Sequence, residues 1–282
     1  MIRASLIVRG ALFMFTSFNY YHNMKRPIIF LYTLIALLFC STACIDLKQE
    51  TTFNADGSGT FSLVLDLSKL QDNSVNLTIG GDSLGKLFTE ENGGIIDTTA
   101  SFRDMKEEIG DVLDNYPKLQ EKGSIRVYAN QKTKDFILRI EFAFESFSEI
   151  PELFYLMDQS EQLKKDIGAL GGLSGLLGIP HTENAPEGLE KYWKYKFSEK
   201  GFSYKFPTKN RLTMMKESDR KMAAMLFNGS DYEMVYHFPK RIKTVKNKDA
   251  VISPNRKTVV LKTQTLHYWK GDVSLNNKIV FE

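Results

Sequence analysis

The sequence predicts an α+β fold, a largely antiparallel β-sheet built from sequential hairpins with about three helices packed on it. Several neighbouring segments alternate apolar and polar residues with period two and are joined by turn residues, while three segments repeat apolar residues at helical spacing. Sequential hairpins with interspersed helices are typical of this class. The 282 residues are 43% hydrophobic and 25% charged, which suits a globular domain with its own core and excludes a disordered polyelectrolyte.

Residues 24–43 have the pattern of an export leader. Lys25 and Arg26 precede an apolar run over 28–40, and the small residues 41–43 follow it. That run is shorter than the ~20 residues that a membrane-spanning helix needs. The pattern therefore favours a cleaved signal peptide over a permanent transmembrane helix.

The leader ends at Cys44, and the order Ser41-Thr42-Ala43-Cys44 resembles the lipobox of bacterial lipoproteins. The resemblance implies diacylglyceryl transfer to the Cys44 sulfur, cleavage after Ala43 and acylation of the new amino group. The alternative is an ordinary signal peptide cut near Ala43, with Cys44 as a chance thiol. The other cysteine, Cys40, lies inside the leader, so a disulfide within the processed chain has no second partner. The prediction is an exported protein anchored to a bacterial membrane, the outer membrane favoured, facing the periplasm or the cell surface.

The leader divides the chain into three parts. Residues 1–23 fit no part of an export signal, and Met24 is the predicted true start. Residues 44–282 form the mature α+β domain, either one unit or two touching lobes with a break near 168–188. The segment before Cys44 holds four basic residues and no acidic ones, so the remainder carries 33 Lys and Arg against 34 Asp and Glu. A near-neutral domain gives no electrostatic reason to expect nucleic acid or anionic lipid as a partner.

The first predicted elements are a hairpin and a helix. Strands over 45–53 and 61–67 flank Asn54-Ala55-Asp56-Gly57-Ser58-Gly59, a turn rich in residues that tolerate positive φ. The same oxygens could form a calcium loop, but Leu65 stands where the bidentate Glu is needed, which favours the turn. Residues 71–100 are polar and contain several glycines, which predicts a long irregular connection. A helix follows from Ser101, capped by Asp104 and ended by Pro117.

The remaining elements follow the same two periods. The predicted strands are 124–130, 136–144, a hairpin over 193–206 that turns at 199–201, 232–238, 258–268 and 275–281, and the predicted helices are 149–166 and 211–227. Asn228-Gly229 closes the last helix, and Glu217 and Lys221 support it at a four-residue spacing.

The chain after the leader resembles the LppM-like group of bacterial lipoproteins. The resemblance lies in three features: Cys44 at the end of the lipobox-like segment, the hairpin that turns at 54–59, and the strand end Tyr236-His237-Phe238-Pro239. It implies an envelope-anchored α+β domain, with hydrophobic-ligand binding suspected for some members, and it carries no catalytic residues.

No catalytic, metal or cofactor site is predicted. His181, His237 and His267 have no metal-ligand spacing. His237 falls on the polar face of its strand and is expected to be solvated, while His267 beside two aromatic residues is expected to pack. Ser174 lacks the second spacer residue of a nucleophile elbow. Carboxylates are numerous, and sequence alone does not place two of them across a cleft.

The hairpin over 193–206 interleaves lysines with aromatic residues. The lysines are Lys191, Lys194, Lys196, Lys200 and Lys205, and the aromatic residues include Trp193, Tyr195, Phe197 and Tyr204. The pattern could form a nucleic-acid platform. Because the chain is exported and near neutral, a lysine-faced outer hairpin is favoured and no nucleic-acid partner is predicted.

An unusual apolar segment lies at 168–180. It has glycines at 168, 171, 172, 175 and 178, and its apolar side chains are Leu170, Leu173, Leu176, Leu177 and Ile179. This glycine density opposes a stable helix, whereas the leucines should avoid water. The segment is interpreted as an ordered loop over the sheet, with a lid above an apolar cavity or a contact with the bilayer or a partner as functional alternatives.

The sequence therefore predicts a non-enzymatic envelope lipoprotein that reaches the membrane through acylated Cys44. Its domain is expected to bind a lipid, another hydrophobic ligand or a protein partner, without a cofactor. Two alternatives remain open: a hydrolase acting on an envelope polymer or lipid, and a structural or assembly component of the envelope.

Overall fold

A computed structural model describes residues 45–71, 78–79, 82–83, 94–105, 114, 117–150, 153, 194–205, 212 and 217–282. All described residues belong to one compact unit, Thr42–Glu282. Cys44, His181, Ser174 and the apolar segment 168–180 lie outside the described residues, as does the predicted lobe break at 168–188.

The described residues form fourteen strands and four short helices. The strands are β1 (Asp46–Phe53), β2 (Gly59–Asp66), β3 (Thr78–Ile79), β4 (Asp82–Ser83), β5 (Ile95–Ser101), β6 (Gly123–Asn130), β7 (Asp135–Phe144), β8 (Lys194–Ser198), β9 (Gly201–Lys205), β10 (Asp231–His237), β11 (Ile242–Val245), β12 (Val251–Ile252), β13 (Thr258–Gln264) and β14 (Asn277–Phe281). The helices are α1 (Ser68–Gln71), α2 (Pro117–Lys122), α3 (Glu217–Leu226) and α4 (Thr265–Lys270).

The strands assemble into two main sheets. The large sheet has the order β12-β13-β10-β1-β2-β7-β6-β5, and the small sheet has the order β11-β14-β9-β8, with β3 and β4 as a separate pair. β1 runs parallel to β10 and antiparallel to β2, which makes the large sheet mixed. The small sheet is antiparallel between all its neighbours.

The predicted fold class is wrong, because the protein is mostly β and its sheet is not covered by three helices. Among the described residues, aromatic side chains of the small sheet pack on one end of the large sheet. Phe53 of the large sheet has its ring centroid 4.8 Å from that of Phe202 and 4.9 Å from that of Phe197. Phe202 also lies 5.4 Å from Tyr236.

Several hairpin predictions are confirmed. β1 and β2 pair across the turn at 54–58, where Gly57 has a φ of 92° and the Asp56 carboxylate accepts hydrogen bonds from Ser58 N–H and Oγ–H. β6 and β7 pair as expected. The alternate apolar residues of β7 are all buried, namely Phe136, Leu138, Ile140, Phe142 and Phe144. Period two thus marks the core-facing positions correctly in this part of the chain.

The helix predictions are confirmed only in part. Ser101 and Asp104 do exchange capping hydrogen bonds, but Ser101 ends β5, and Pro117 begins α2. Proline suits a first helical turn because its missing N–H has no intrahelical partner there. Residues 106–113 and 154–166 of the predicted first and second helices lie outside the described residues. The third helix is confirmed as α3, with Lys221 Nζ 2.7 Å from Glu217 Oε1.

The predicted strand 258–268 is wrong beyond Gln264, where helix α4 begins. Tyr268 and Trp269 are adjacent and both buried, which a helix allows and a one-sided strand does not. Gly271 ends the helix with a φ of 80°, and its N–H lies 3.1 Å from the Tyr268 carbonyl oxygen. The irregular connection predicted for 71–100 contains the edge strand β5, and β11 and β12 were not predicted.

Candidate functional site

The chain enters the fold immediately after Cys44. Ile45 is fully buried, and its N–H donates to Ser230 Oγ at 2.9 Å and to the Leu226 carbonyl oxygen at 3.2 Å. The next residue, Asp46, accepts a hydrogen bond from the Asp231 N–H at 2.9 Å. The first residue that the structure describes, directly after Cys44, is therefore already part of the folded core.

The β8–β9 hairpin has the lysine-faced arrangement expected from the sequence. Phe202 and Tyr204 are buried, and Tyr195 and Phe197 are half-buried against the core. The described lysines Lys194, Lys196, Lys200 and Lys205 are exposed. Because the two strands pair in register, Lys194, Lys196 and Lys205 share the outer face of the small sheet, and Lys200 lies in the turn between the strands.

A groove of about 930 Å³ crosses this outer face. Six lysines line it, and we call it the lysine groove: Lys196, Lys200, Lys205, Lys246, Lys248 and Lys278. Asp249 and Asp272 are the acidic residues in its lining. Its volume lies at the upper end of the range of about 300–1,000 Å³ that is usual for small-molecule sites.

One wall of the lysine groove is fixed by the Asn247 side chain. Its Nδ2 donates to the carbonyl oxygens of Ser274 and Asn276 at 2.9 and 3.1 Å. Its Oδ1 accepts the Asp249 N–H at 2.9 Å, which closes a tight turn. The loop after β11 is thereby tied to the loop before β14, and Lys246 and Lys248 project from a rigid support.

The groove lysines have no carboxylate partner among the described residues. None of the ion pairs between described side chains includes any of the six. By contrast, Arg126 binds Asp97 through two hydrogen bonds of 2.7 Å on the large sheet. The lysine groove thus carries a net positive charge on a near-neutral chain, and its lysines form no ion pair with a described carboxylate.

His237 was predicted to be solvated, but both of its ring nitrogens have hydrogen-bond partners in the protein. Its Nε2 lies 2.8 Å from Glu50 Oε1 and its Nδ1 lies 3.0 Å from Thr258 Oγ1. Burial raises the pKa of the Glu50 carboxyl, but hydrogen bonds from His237 and Lys48 outweigh it and hold that pKa below the usual 4.5. The order hydroxyl, imidazole, carboxylate resembles a nucleophile triad. However, the three groups stand side by side on β13, β10 and β1, where they act as cross-strand pairs.

Two buried tyrosines of the core have strongly raised pKa values. Burial raises the pKa of Tyr204 and of Tyr236 far above the usual value for tyrosine, so both hydroxyls stay protonated in the core. His267, expected to pack, is exposed on α4. Within the described ranges there is no cluster of His, Cys, Asp or Glu that could hold a metal ion. The same part of the chain holds no helix long and apolar enough to span a bilayer.

The sequence indicated half of the lysine groove. Lys196, Lys200 and Lys205 belong to the hairpin that it singled out, whereas the β11–β12 loop and β14 bring the other three. Lys278 carried a weak signal, because it alternates with the apolar residues of a predicted strand. The pairing of β14 with β9 joins these distant segments, and no local pattern predicts it.

Comparisons with known proteins give a distant structural neighbour. The scan against protein-family models and the search of curated proteins find no match. A solved structure does match: the NMR structure of the folded domain of the LppM protein of Mycobacterium tuberculosis. The match has a TM-score of 0.34 and 9% sequence identity, and it covers 86% of this chain and 91% of that chain. At this level the likeness identifies neither a shared fold nor a shared function.

Proposed function

We propose that this chain is an exported lipoprotein, held on a bacterial membrane by acyl chains on Cys44, whose β domain works by binding and not by catalysis. The position of Ile45 supports the anchor most directly. The leader pattern ends at Cys44, and the next residue, Ile45, is buried in the core. Cleavage between Ala43 and Cys44 would leave this core residue in the mature chain.

The short connection has a physical consequence for the anchored domain. One residue extends the chain by at most about 3.6 Å, so the lipid-bearing residue lies next to the Ile45 edge of the fold. Two or more acyl chains are enough for stable anchoring, whereas one chain gives marginal binding. The anchored domain would therefore rest against the headgroup layer, with the outer membrane favoured.

Metabolic labelling with an alkyne analogue of palmitate tests the anchor. The unchanged chain should incorporate the label and Cys44→Ala should not. Cys40→Ala is the matched control, because it removes the other cysteine of the chain, which lies within the leader, and it should leave labelling intact. Mass spectrometry should find diacylglyceryl on Cys44 as the first residue. Label in Cys44→Ala, or a leader still attached in the native product, would refute the proposal.

The proposed ligand is a hydrophobic molecule or a protein partner that contacts the apolar segment 168–180. Support comes from the sequence, in which leucines that should avoid water alternate with glycines. Full-length protein purified in detergent should retain acyl lipid after gel filtration, and Leu170→Ser with Leu173→Ser should lower the amount. Equal lipid in both proteins, with no partner lost in cross-linking, would contradict this proposal.

A further inference from the structure

We propose that the lysine groove binds a linear polyanion, a flexible polymer with one phosphate or carboxylate group per repeat unit. This site differs from the anchor at Cys44 and from the apolar segment 168–180. It does not require the proposed function to be correct.

The first argument is the distribution of charge. Residues 44–282 carry 33 basic and 34 acidic residues, of which six and two line the lysine groove. The formal net charge of the groove is therefore +4. The other 27 basic and 32 acidic residues of this range have a formal net charge of −5. A positive groove on a negative domain attracts an anion locally and is not explained by the overall composition.

The second argument is the cost of this arrangement to the fold. Lys194 lies directly opposite Lys205 in the β8–β9 pair. Lys196 and Lys278 lie on either side of Ser203, in one row across three strands. Like charges directly opposite each other, as in the pair of Lys194 with the groove residue Lys205, are destabilising. Because no described carboxylate pairs with the groove lysines, a bound anion is what would relieve the repulsion.

The spacing of the lysines favours a polymer over a single small anion. Neighbouring strands lie about 4.8 Å apart, which places Lys196 and Lys278 roughly 10 Å apart across β9. Alternate residues along one strand are separated by about 7 Å. A lone phosphate therefore reaches one or two lysines, whereas a chain with regularly repeated charges reaches several. Lysine suits such a ligand because its flexible stem carries a point charge that imposes no fixed geometry.

The surroundings of the groove argue against a single-stranded nucleic acid. Such ligands are held by stacking of bases on exposed aromatic rings as well as by basic residues. Phe202 and Tyr204 are buried, and Tyr195 and Phe197 pack against the core. The lysine face of the described hairpin thus has charge without a stacking platform, which suits a polymer bound through its charges alone.

Binding of two fluorescent polymers to the full-length protein in detergent tests the proposal. Poly(glycerol phosphate) supplies repeated phosphates and polygalacturonate supplies repeated carboxylates, so the two arms distinguish the charged groups. The test variant combines Lys196→Gln, Lys205→Gln and Lys278→Gln. The matched control combines Lys132→Gln, Lys257→Gln and Lys270→Gln, which are exposed lysines outside the groove. Both variants lose the same total charge, and circular dichroism checks that both remain folded.

At least one polymer should bind far more tightly than inorganic phosphate or galacturonate. A lysine near an anionic surface is worth about fivefold in affinity, so the groove variant should bind about 100-fold more weakly. The control variant should change by less than threefold. The affinity should fall steeply with salt, and the slope of log K against log salt should be shallower by about 2 in the groove variant.

Three results would overturn the proposal: equal losses in both triple variants, polymer binding no tighter than that of the monomers, or binding to anionic vesicles alone. Cys44→Ala protein should bind the polymer as the unchanged protein does. A failure of the anchor would therefore leave this test intact, and a failure here would not affect the labelling experiment.

Discussion

Substitution of Phe53 by alanine should strongly destabilise the domain, because this ring joins the two sheets. Phe53 is 3% exposed and ends β1 in the large sheet. Its ring centroid lies between 4.8 and 6.4 Å from those of six aromatic residues: Phe144, Phe147, Phe197, Phe202, Tyr236 and Phe238. Removing it opens a cavity between backbones that are held by strand hydrogen bonds and cannot collapse freely.

The expected loss can be worked out from these contacts. Phe→Ala in a core costs about 3–5 kcal/mol, and the cost rises when the cavity stays open. Aromatic pairs add about 0.5–1.5 kcal/mol beyond area burial. We therefore expect Phe53→Ala to lower the free energy of unfolding by about 4–5 kcal/mol, a large share of the ~5–15 kcal/mol of a typical domain. Phe53→Leu should lose less, because most of the volume remains.

Urea denaturation followed by circular dichroism and tryptophan fluorescence measures this loss. Val251→Ala is the control, because Val251 is 65% exposed and should change stability by less than about 0.5 kcal/mol. A loss for Phe53→Ala no larger than that of the control would show that the aromatic cluster does not hold the sheets together.

Three further changes test other parts of the structure. Gly201→Ala should cost about 1–3 kcal/mol in urea denaturation, because a Cβ there would collide with the Ile279 carbonyl oxygen. Asn247→Ala removes three hydrogen bonds from the groove wall and should cost about 1–3 kcal/mol and weaken polymer binding. Glu50→Gln should flatten the pH dependence of stability in acid. Since the folded pKa of Glu50 lies below 4.5, its contribution is present above that pH and is lost as the pH falls below it.

Each change has its own control. For Gly201→Ala the control is Ser203→Ala, on the outer face of the same strand, which should change the free energy of unfolding by less than about 0.5 kcal/mol. An equal loss for the two variants would contradict the expected collision at Gly201. Asn247→Asp keeps the Asp249 N–H bond and should fall between alanine and the unchanged protein. For Glu50, acid titration curves that coincide with those of the unchanged protein would contradict the assigned pKa.

Local patterns predicted the hairpins but not the sheet as a whole. The turn at 54–59 and the apolar alternation of β7 are encoded within a few residues, and both predictions are confirmed. β5 gave no such pattern, because it is an edge strand with Ile95 45% exposed. Its pairing with β6 is supported by the ion pair between Arg126 and Asp97, which lie 29 residues apart.

The wrong predictions have a common cause in contacts between distant residues. The sequence pattern after Gln264 predicts a continued strand, but helix α4 begins there. Its first residue, Thr265, donates its N–H to the Ser230 carbonyl oxygen at 2.9 Å. The lysine groove was not predicted as a site, although three of its lysines lie in the predicted lysine-faced hairpin. Its hairpin lysines are local, whereas Lys246, Lys248 and Lys278 reach it through strand pairing. Cys44 and the segment 168–180 lie outside the described residues, so those predictions stay predictions.

The parallel pairing of β1 with β10 sets the order in which the protein can fold. A nascent chain presents β1 first, and β2 can pair with it at once. The other side of β1 must wait until residues 231–237 emerge, and the Ile45–Ser230 contact spans 185 residues. β1 is a central strand of the finished sheet, but during synthesis its side toward β10 has unpaired backbone N–H and C=O groups that can pair with other chains. We therefore expect slow folding that is completed late, and the exposed edge of β1 needs protection until residues 231–237 have emerged.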